Sequence, residues 1–279
     1  MKRLIGFIVL ALFLSVPAWA THRTVILKQV HKGVTLNVLS EDPNRSYDTD
    51  LVPAEKGMRN LTKALNILIE RSPLSAGKLE ILKKNGRVHV VYFPGDTPKG
   101  ATGGESLAVF VPDFLSEKGV QSREKTFLVV VGRHAIKWPA EELAAVLAHE
   151  LIGHGLQYQR GRLSKIRSLD VECEALLYEE IANQNLGLDK LSRDSIRFRQ
   201  MMEEYFCTDF KTFMRAQQPD SMALWDVLNP DVPKLLEVFD AYLVYSVREG
   251  VTGKSLAAEE KQLKERSRRT LKDAAPDEL

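Results

Sequence analysis

In the stretch Ala148–Gln157, AHELIGHGLQ, two imidazoles and a carboxylate stand together as His149, Glu150 and His154. Neutral imidazole nitrogens and carboxylate oxygens are the donors zinc takes in a tetrahedral site, and a catalytic site leaves one position to water. Glu150, directly after the first histidine, is then the group placed to take a proton from the attacking water. The spacing sets a condition. The common zinc pair H-E-x-x-H has its histidines four apart, whereas His149 and His154 are five apart. Each helical residue turns about 100°, so positions four apart diverge by roughly 40° and positions five apart by roughly 140°. A straight helix would hold the two rings on nearly opposite sides. A single i→i+5 turn, a π-bulge, brings them together, and Gly153 lowers the steric cost of that irregularity. The expectation is a wide turn between His149 and His154. On an undistorted helix, Glu150, His154 and Tyr158 would instead form one stripe at i, i+4 and i+8, explained by hydrogen bonding with no metal.

A second run, SLDVECEALLYEE, places Asp170, Glu172, Glu174, Glu179 and Glu180 among Cys173, Ala175, Leu176 and Leu177. A helix that follows the histidine helix after a short loop packs antiparallel to it, which turns carboxylates near Glu172 toward the histidines. Glu172 and Glu179, seven apart, share a face with Ala175 and Leu176. Two carboxylates on an otherwise apolar face are costly to bury without a cation. The third ligand is therefore expected among Glu172, Glu174 and Glu179. Glu174 and Glu180 also read as outward-facing surface residues.

These two motifs carry a family resemblance. HELIGHG, His149 to Gly155, resembles the H-E-x-x-G-H motif of dipeptidyl peptidase III, a zinc exopeptidase family with the longer spacing. VECEAL, Val171 to Leu176, is similar to that family's E-E-C-R-A-E motif, whose second Glu, a zinc ligand, falls on Glu172. The resemblance implies a zincin-like (gluzincin) metallopeptidase with zinc on His149, His154 and Glu172 and with Glu150 as general base. Val171, Glu174 and Leu176 depart from the second motif, and only 17 residues separate His154 from Glu172. The metal site carries over; the dipeptide-releasing specificity does not.

The elements that must position these groups read as α+β, an N-terminal mixed or antiparallel sheet followed by a helical half. RTVILKQV and VTLNVLS flank His31-Lys32-Gly33 as a hairpin. PAEKGMRNLTKALNILIERS has Met58, Leu61, Ala64, Leu65 and Leu68 at helical spacing. KLEILKKNGRVHVVYF reads as a second hairpin, with Asn85-Gly86 in a tight primed turn. SLAVFV and TFLVVVG complete five or six strands, and the VVVG strand could offer an edge to an extended peptide or lie buried in the centre. Residues 94–106, PGDTPKGATGGES, lack the Lys-Ser/Thr and helix of a phosphate loop and read as a hairpin flap. Helices are expected from Trp138 to about Arg160, from Ile166 to Asn185, and over 191–206, 208–217, 232–249 and 254–273. This gives a β-rich part over 21–137, a helical part over 138–250 and a charged helix or tail over 251–279.

The remaining candidates are weaker. Tyr158 and Tyr178 could donate to a developing oxyanion or simply pack, and His134 could enter the cleft from the end of a strand. Residues 1–20 have a basic head, an apolar run from Leu4 to Val16 and an Ala-Trp-Ala ending, the pattern of a cleavable secretory signal. A secreted or periplasmic protein with no stable membrane span after cleavage is expected. Removal of Lys2 and Arg3 lowers Lys+Arg from 39 to 37 against Asp+Glu 37, so the net charge falls from +2 to zero. A neutral chain offers no electrostatic case for nucleic acid. Cys173 and Cys207 could form one bridge or stay as buried thiols. The reading is a zinc-dependent hydrolase acting on a peptide or protein substrate. Its rival is a non-catalytic envelope protein, binding or structural, with a structural metal or none.

Overall fold

The computed structural model describes residues 24–95, 97, 107–112, 114–115, 124–225 and 228–250. The expected signal segment 1–20, most of the flap (96 and 98–106) and the expected helix 254–273 lie outside the described residues.

The architecture is α+β, a mixed five-stranded sheet followed by a mostly helical half. Strands β1 (Val25–His31) and β2 (Val34–Leu39) form the expected hairpin, with Lys32 and Gly33 both at positive φ (48° and 80°). Helix α1 (Ala54–Arg71) buries Met58, Leu61, Ala64, Leu65 and Leu68, the stripe its periodicity demands. The second expected hairpin is absent. Pro73–Asn85 is helix α2, begun by a proline at its first position, and Gly86 opens strand β3 (Gly86–Tyr92) directly. Gly86 is extended (φ 164°) rather than turned, and a Cβ there would stand 2.2 Å from the carbonyl oxygen of Lys125. The glycine serves close backbone approach between strands, which leaves the same sequence signature as a turn.

Strands β4 (Ala108–Phe110) and β5 (Lys125–Val131) complete a sheet of order β1-β2-β3-β5-β4. β2, β3 and β5 are parallel, and the two outer strands are antiparallel to their neighbours. The VVVG strand is therefore internal, buried from Phe127 to Val131, and the sheet edge nearest the helical half belongs to β4. One face of the sheet (Leu36, Val38, Val90, Phe127, Val129) joins α1, α2 and α3 (Ala140–Leu147) in the largest apolar cluster. Burying each such side chain contributes about 1.5–3 kcal/mol.

After α3 the helix continues through a π-helical segment, Ala148–His154, into α4 (Gly155–Gln159). Helix α5 (Ser168–Leu186) follows, then α6 (Arg193–Met201), a second π-helical segment at Met202–Phe206, α7 (Thr208–Gln217) and α8 (Val232–Arg248). α5 is the centre of this half. Tyr178, Ala182 and Leu186 face the sheet-side cluster, while Cys173, Leu176 and Leu177 face a second cluster with Met202, Phe210, Phe239 and Tyr242. A disulfide joins Cys173 to Cys207, 34 residues apart, which decides between the bridge and the free thiols. In the chain-entropy account a loop of that length stabilises the fold by about 4 kcal/mol. The bridge is compatible with an oxidising compartment. Among the described residues no helix is long and apolar enough to cross a membrane.

Candidate metal centre

The wide turn required by the five-residue spacing is present. Over Ala148–His154 the backbone is π-helical, and it brings the rings of His149 and His154 to 4.9 Å between centroids, crossed at 83°. A π turn closes poorly on its own, so packing must hold it. α5 lies directly along the segment. Gly153 is where they touch, since a Cβ on it would stand 2.7 Å from the Cα of Ala175. Gly153 does more than ease an irregular backbone: it lets α5 come close enough to present a carboxylate.

That carboxylate is Glu172. Its Oε2 lies 3.4 Å from His149 Nε2 and its Oε1 lies 3.9 Å from His154 Nε2. One donor atom from each of His149, His154 and Glu172 falls within 4.8 Å of the other two, a group that could hold a metal ion. Glu179, weighed as an alternative ligand, approaches the other side of the first ring, with Oε2 3.0 Å from His149 Nδ1. Glu174 does not face the histidines' Nε2 atoms. It is buried and bound by Arg160 (3.1 Å) and by Gln157 (3.2 Å), so it is no surface residue. Glu180 is likewise buried, paired with Arg199.

Glu150 turns to the same side as the ligands, its Oε2 4.0 Å from His154 Nε2. The same oxygen accepts a hydrogen bond of 2.9 Å from the backbone N–H of Phe110, on edge strand β4. The sheet thus holds the carboxylate next to the ligands, a contact no motif in the sequence announced. The site is partly open to solvent, with Glu172 the most accessible of the four at 25% of its side chain.

The electrostatics are compatible with a bound cation. Burial pushes the Glu150 carboxyl above its usual range, against the pull of both histidines. Burial also opposes charge on His149, but Glu172, Glu179 and Glu150 outweigh it and hold the imidazole well above its ordinary value. Glu172 is likewise penalised by burial, yet the His149 contact and the charge of His154 bring it below the usual carboxylate range. Three carboxylates surround two imidazoles, and among the described residues no lysine or arginine pairs with Glu150, Glu172 or Glu179. His149 Nδ1 is itself buried without a hydrogen bond of good geometry, despite its nearness to Glu179. Two imidazoles, one carboxylate and a surplus of negative charge fit a divalent ion of zinc's preferences.

Other expected candidates lie elsewhere. Tyr158 packs between Phe110 and Phe127 with Lys125 over its ring, and Tyr178 is buried in the core. His134 lies 3.7 Å from Asp48. Among the described residues, a groove between β1 and α1 and another at the start of α1 are lined by none of the four site residues. No family model, curated protein or solved structure matches this chain.

Proposed function

We propose that this protein is a zinc-dependent hydrolase, most consistent with a peptidase of an oxidising, extracytoplasmic compartment, with His149, His154 and Glu172 as ligands and Glu150 as general base. The observation that carries this reading is the convergence of the three donor groups beside a further, mostly buried carboxylate, Glu150, that is not one of them. When bound, the ion would polarise a carbonyl and make water a better nucleophile. Glu150 takes the proton from the attacking water and delivers it to the leaving amine, a task suited to a carboxylate whose pKa burial has raised. The Phe110 N–H keeps that carboxylate aimed at the ligands. Three protein ligands, rather than four, form the group among the described residues, which favours a catalytic over a structural ion. Peptide as the substrate class rests on the motif resemblance and on β4, an edge strand bordering the site that suits an extended chain.

The test is Glu150→Gln, assayed by mass spectrometry of new termini in a peptide mixture. Zinc content should stay at the wild-type level while hydrolysis falls about 100-fold or more, the contribution of a positioned base. Undiminished cleavage by the variant would overturn the mechanism.

A further inference from the structure

Gln157 carries no charge and belongs to neither motif, yet its side chain is entirely buried and all its polar capacity is directed. Its Nε2 lies 2.7 Å from the backbone oxygen of Val171 and 3.2 Å from Oε2 of Glu174. Its Oε1 lies 2.9 Å from His154 Nδ1. The orientation of an amide is fixed by its neighbours rather than by its shape. Here the neighbours leave no choice. A backbone carbonyl only accepts, so the amide nitrogen must face Val171, and the oxygen must then face the imidazole. An acceptor facing Nδ1 requires a proton on Nδ1. The lone pair of the neutral ring is thereby placed on Nε2, the atom that faces Glu172.

We propose that Gln157 is a positioning residue that fixes His154 in the Nδ1–H tautomer and so presents Nε2 as a ligand. It does so from α4, anchored on α5. Val171 precedes the ligand Glu172, so one side chain ties the ring of the second histidine to the backbone of the third ligand. Glu174 and its arginines, Arg160 at 3.1 Å and Arg162 at 3.6 Å, hold the amide from behind. A carboxamide meets this demand, because it accepts at one end and donates at the other. The two histidines are flanked differently: the Glu179 carboxylate lies 3.0 Å from His149 Nδ1 without a well-aligned hydrogen bond, whereas a neutral amide accepts from His154 Nδ1. The purpose of the arrangement rests on the metal reading above; the tautomer does not.

The experiment is long-range nitrogen–proton NMR on histidine-labelled, metal-free protein at pH 8, beside Gln157→Met, with zinc affinity measured by chelator competition. In the wild-type protein His154 should show a protonated Nδ1 and an unprotonated Nε2, opposite to the preference of imidazole side chains in water. In Gln157→Met the ring should shift toward the Nε2–H form, and zinc binding should weaken about 10–100-fold, the usual cost of losing a partner that orients a ligand. A wild-type ring protonated on Nε2 would overturn the proposal whether or not the variant folds, and so would a folded variant with an unchanged tautomer. Absence of zinc binding by the wild-type protein would sink the metal reading and leave the tautomer result standing on its own.

Discussion

Helix α5 carries two sets of carboxylates, and the molecule neutralises them differently. Asp170, Glu174 and Glu180 are each buried and each met by arginine: Arg167 at 2.8 Å, Arg160 at 3.1 Å and Arg199 at 3.2 Å. Among the described residues, Glu172 and Glu179, on the same helix, are met only by histidine. The first set ties α5 to its surroundings, since Arg167 also reaches Asp209 and the Tyr242 hydroxyl donates to Asp170 from α8. The second set is left with surplus negative charge. Buried charges are tolerated when paired or when they coordinate a metal; the first set is paired, and the second includes Glu172, a member of the group that could hold a metal ion.

The contrast is open to direct attack. Arg167→Met leaves Asp170 buried with, among the described residues, the Tyr242 hydroxyl alone, and should lower stability by about 3–5 kcal/mol, as removal of one partner of a buried pair does. Glu172→Gln, on the same helix, should change the stability of the metal-free protein by no more than about 1 kcal/mol, since its histidine pairs are partly solvated. Denaturant unfolding of both variants without metal checks the difference. A loss for Glu172→Gln as large as that for Arg167→Met would mean that Glu172 is a structural partner like the rest. Gly153→Ala is next in size. The new methyl meets the Ala175 backbone, and the strain should cost about 1–3 kcal/mol. Because the clash pushes α5 and Glu172 away from the histidines, zinc affinity should fall with it, while Gly77→Ala, whose methyl meets nothing within 4 Å, should leave affinity unchanged.

The smallest effect belongs to His89, on the sheet and away from the ligands. Burial first, then the charges of Arg87 and Lys28, hold its pKa below the ordinary value of 6.5. The unfolded chain therefore takes up a proton near pH 6.5 before the folded one does. Stability from this group is full above that pH, falls as pH drops toward the folded pKa, and is flat below it. His89→Gln should flatten that part of the stability–pH curve; an unchanged slope would remove the assignment.

How much of this was legible beforehand follows the same division. The wide turn could be read because two ligand-type side chains at a forbidden spacing imply the distortion that reconciles them. The partners of α5 could not be read. Arg160 and Arg167 flank the loop before α5, and Arg199 comes from α6, so nothing local to α5 marks Glu174 and Glu180 as buried rather than exposed. Gly86 was misread for a related reason: a glycine needed for strand approach and one needed for a turn look alike until the neighbouring strand is known. Gln157 gave no signal, because its task is set by the carbonyl of Val171 across the helix contact.

The most direct measurement is equilibrium dialysis of the purified protein against zinc, with elemental analysis of the wild-type chain, His149→Ala, His154→Ala, Glu172→Gln and Arg199→Met. One zinc per wild-type chain, lost in the first three variants and kept by the folded fraction of the fourth, is the predicted result. A wild-type chain that retains no zinc after saturation, or histidine variants that retain as much as it does, would contradict the account.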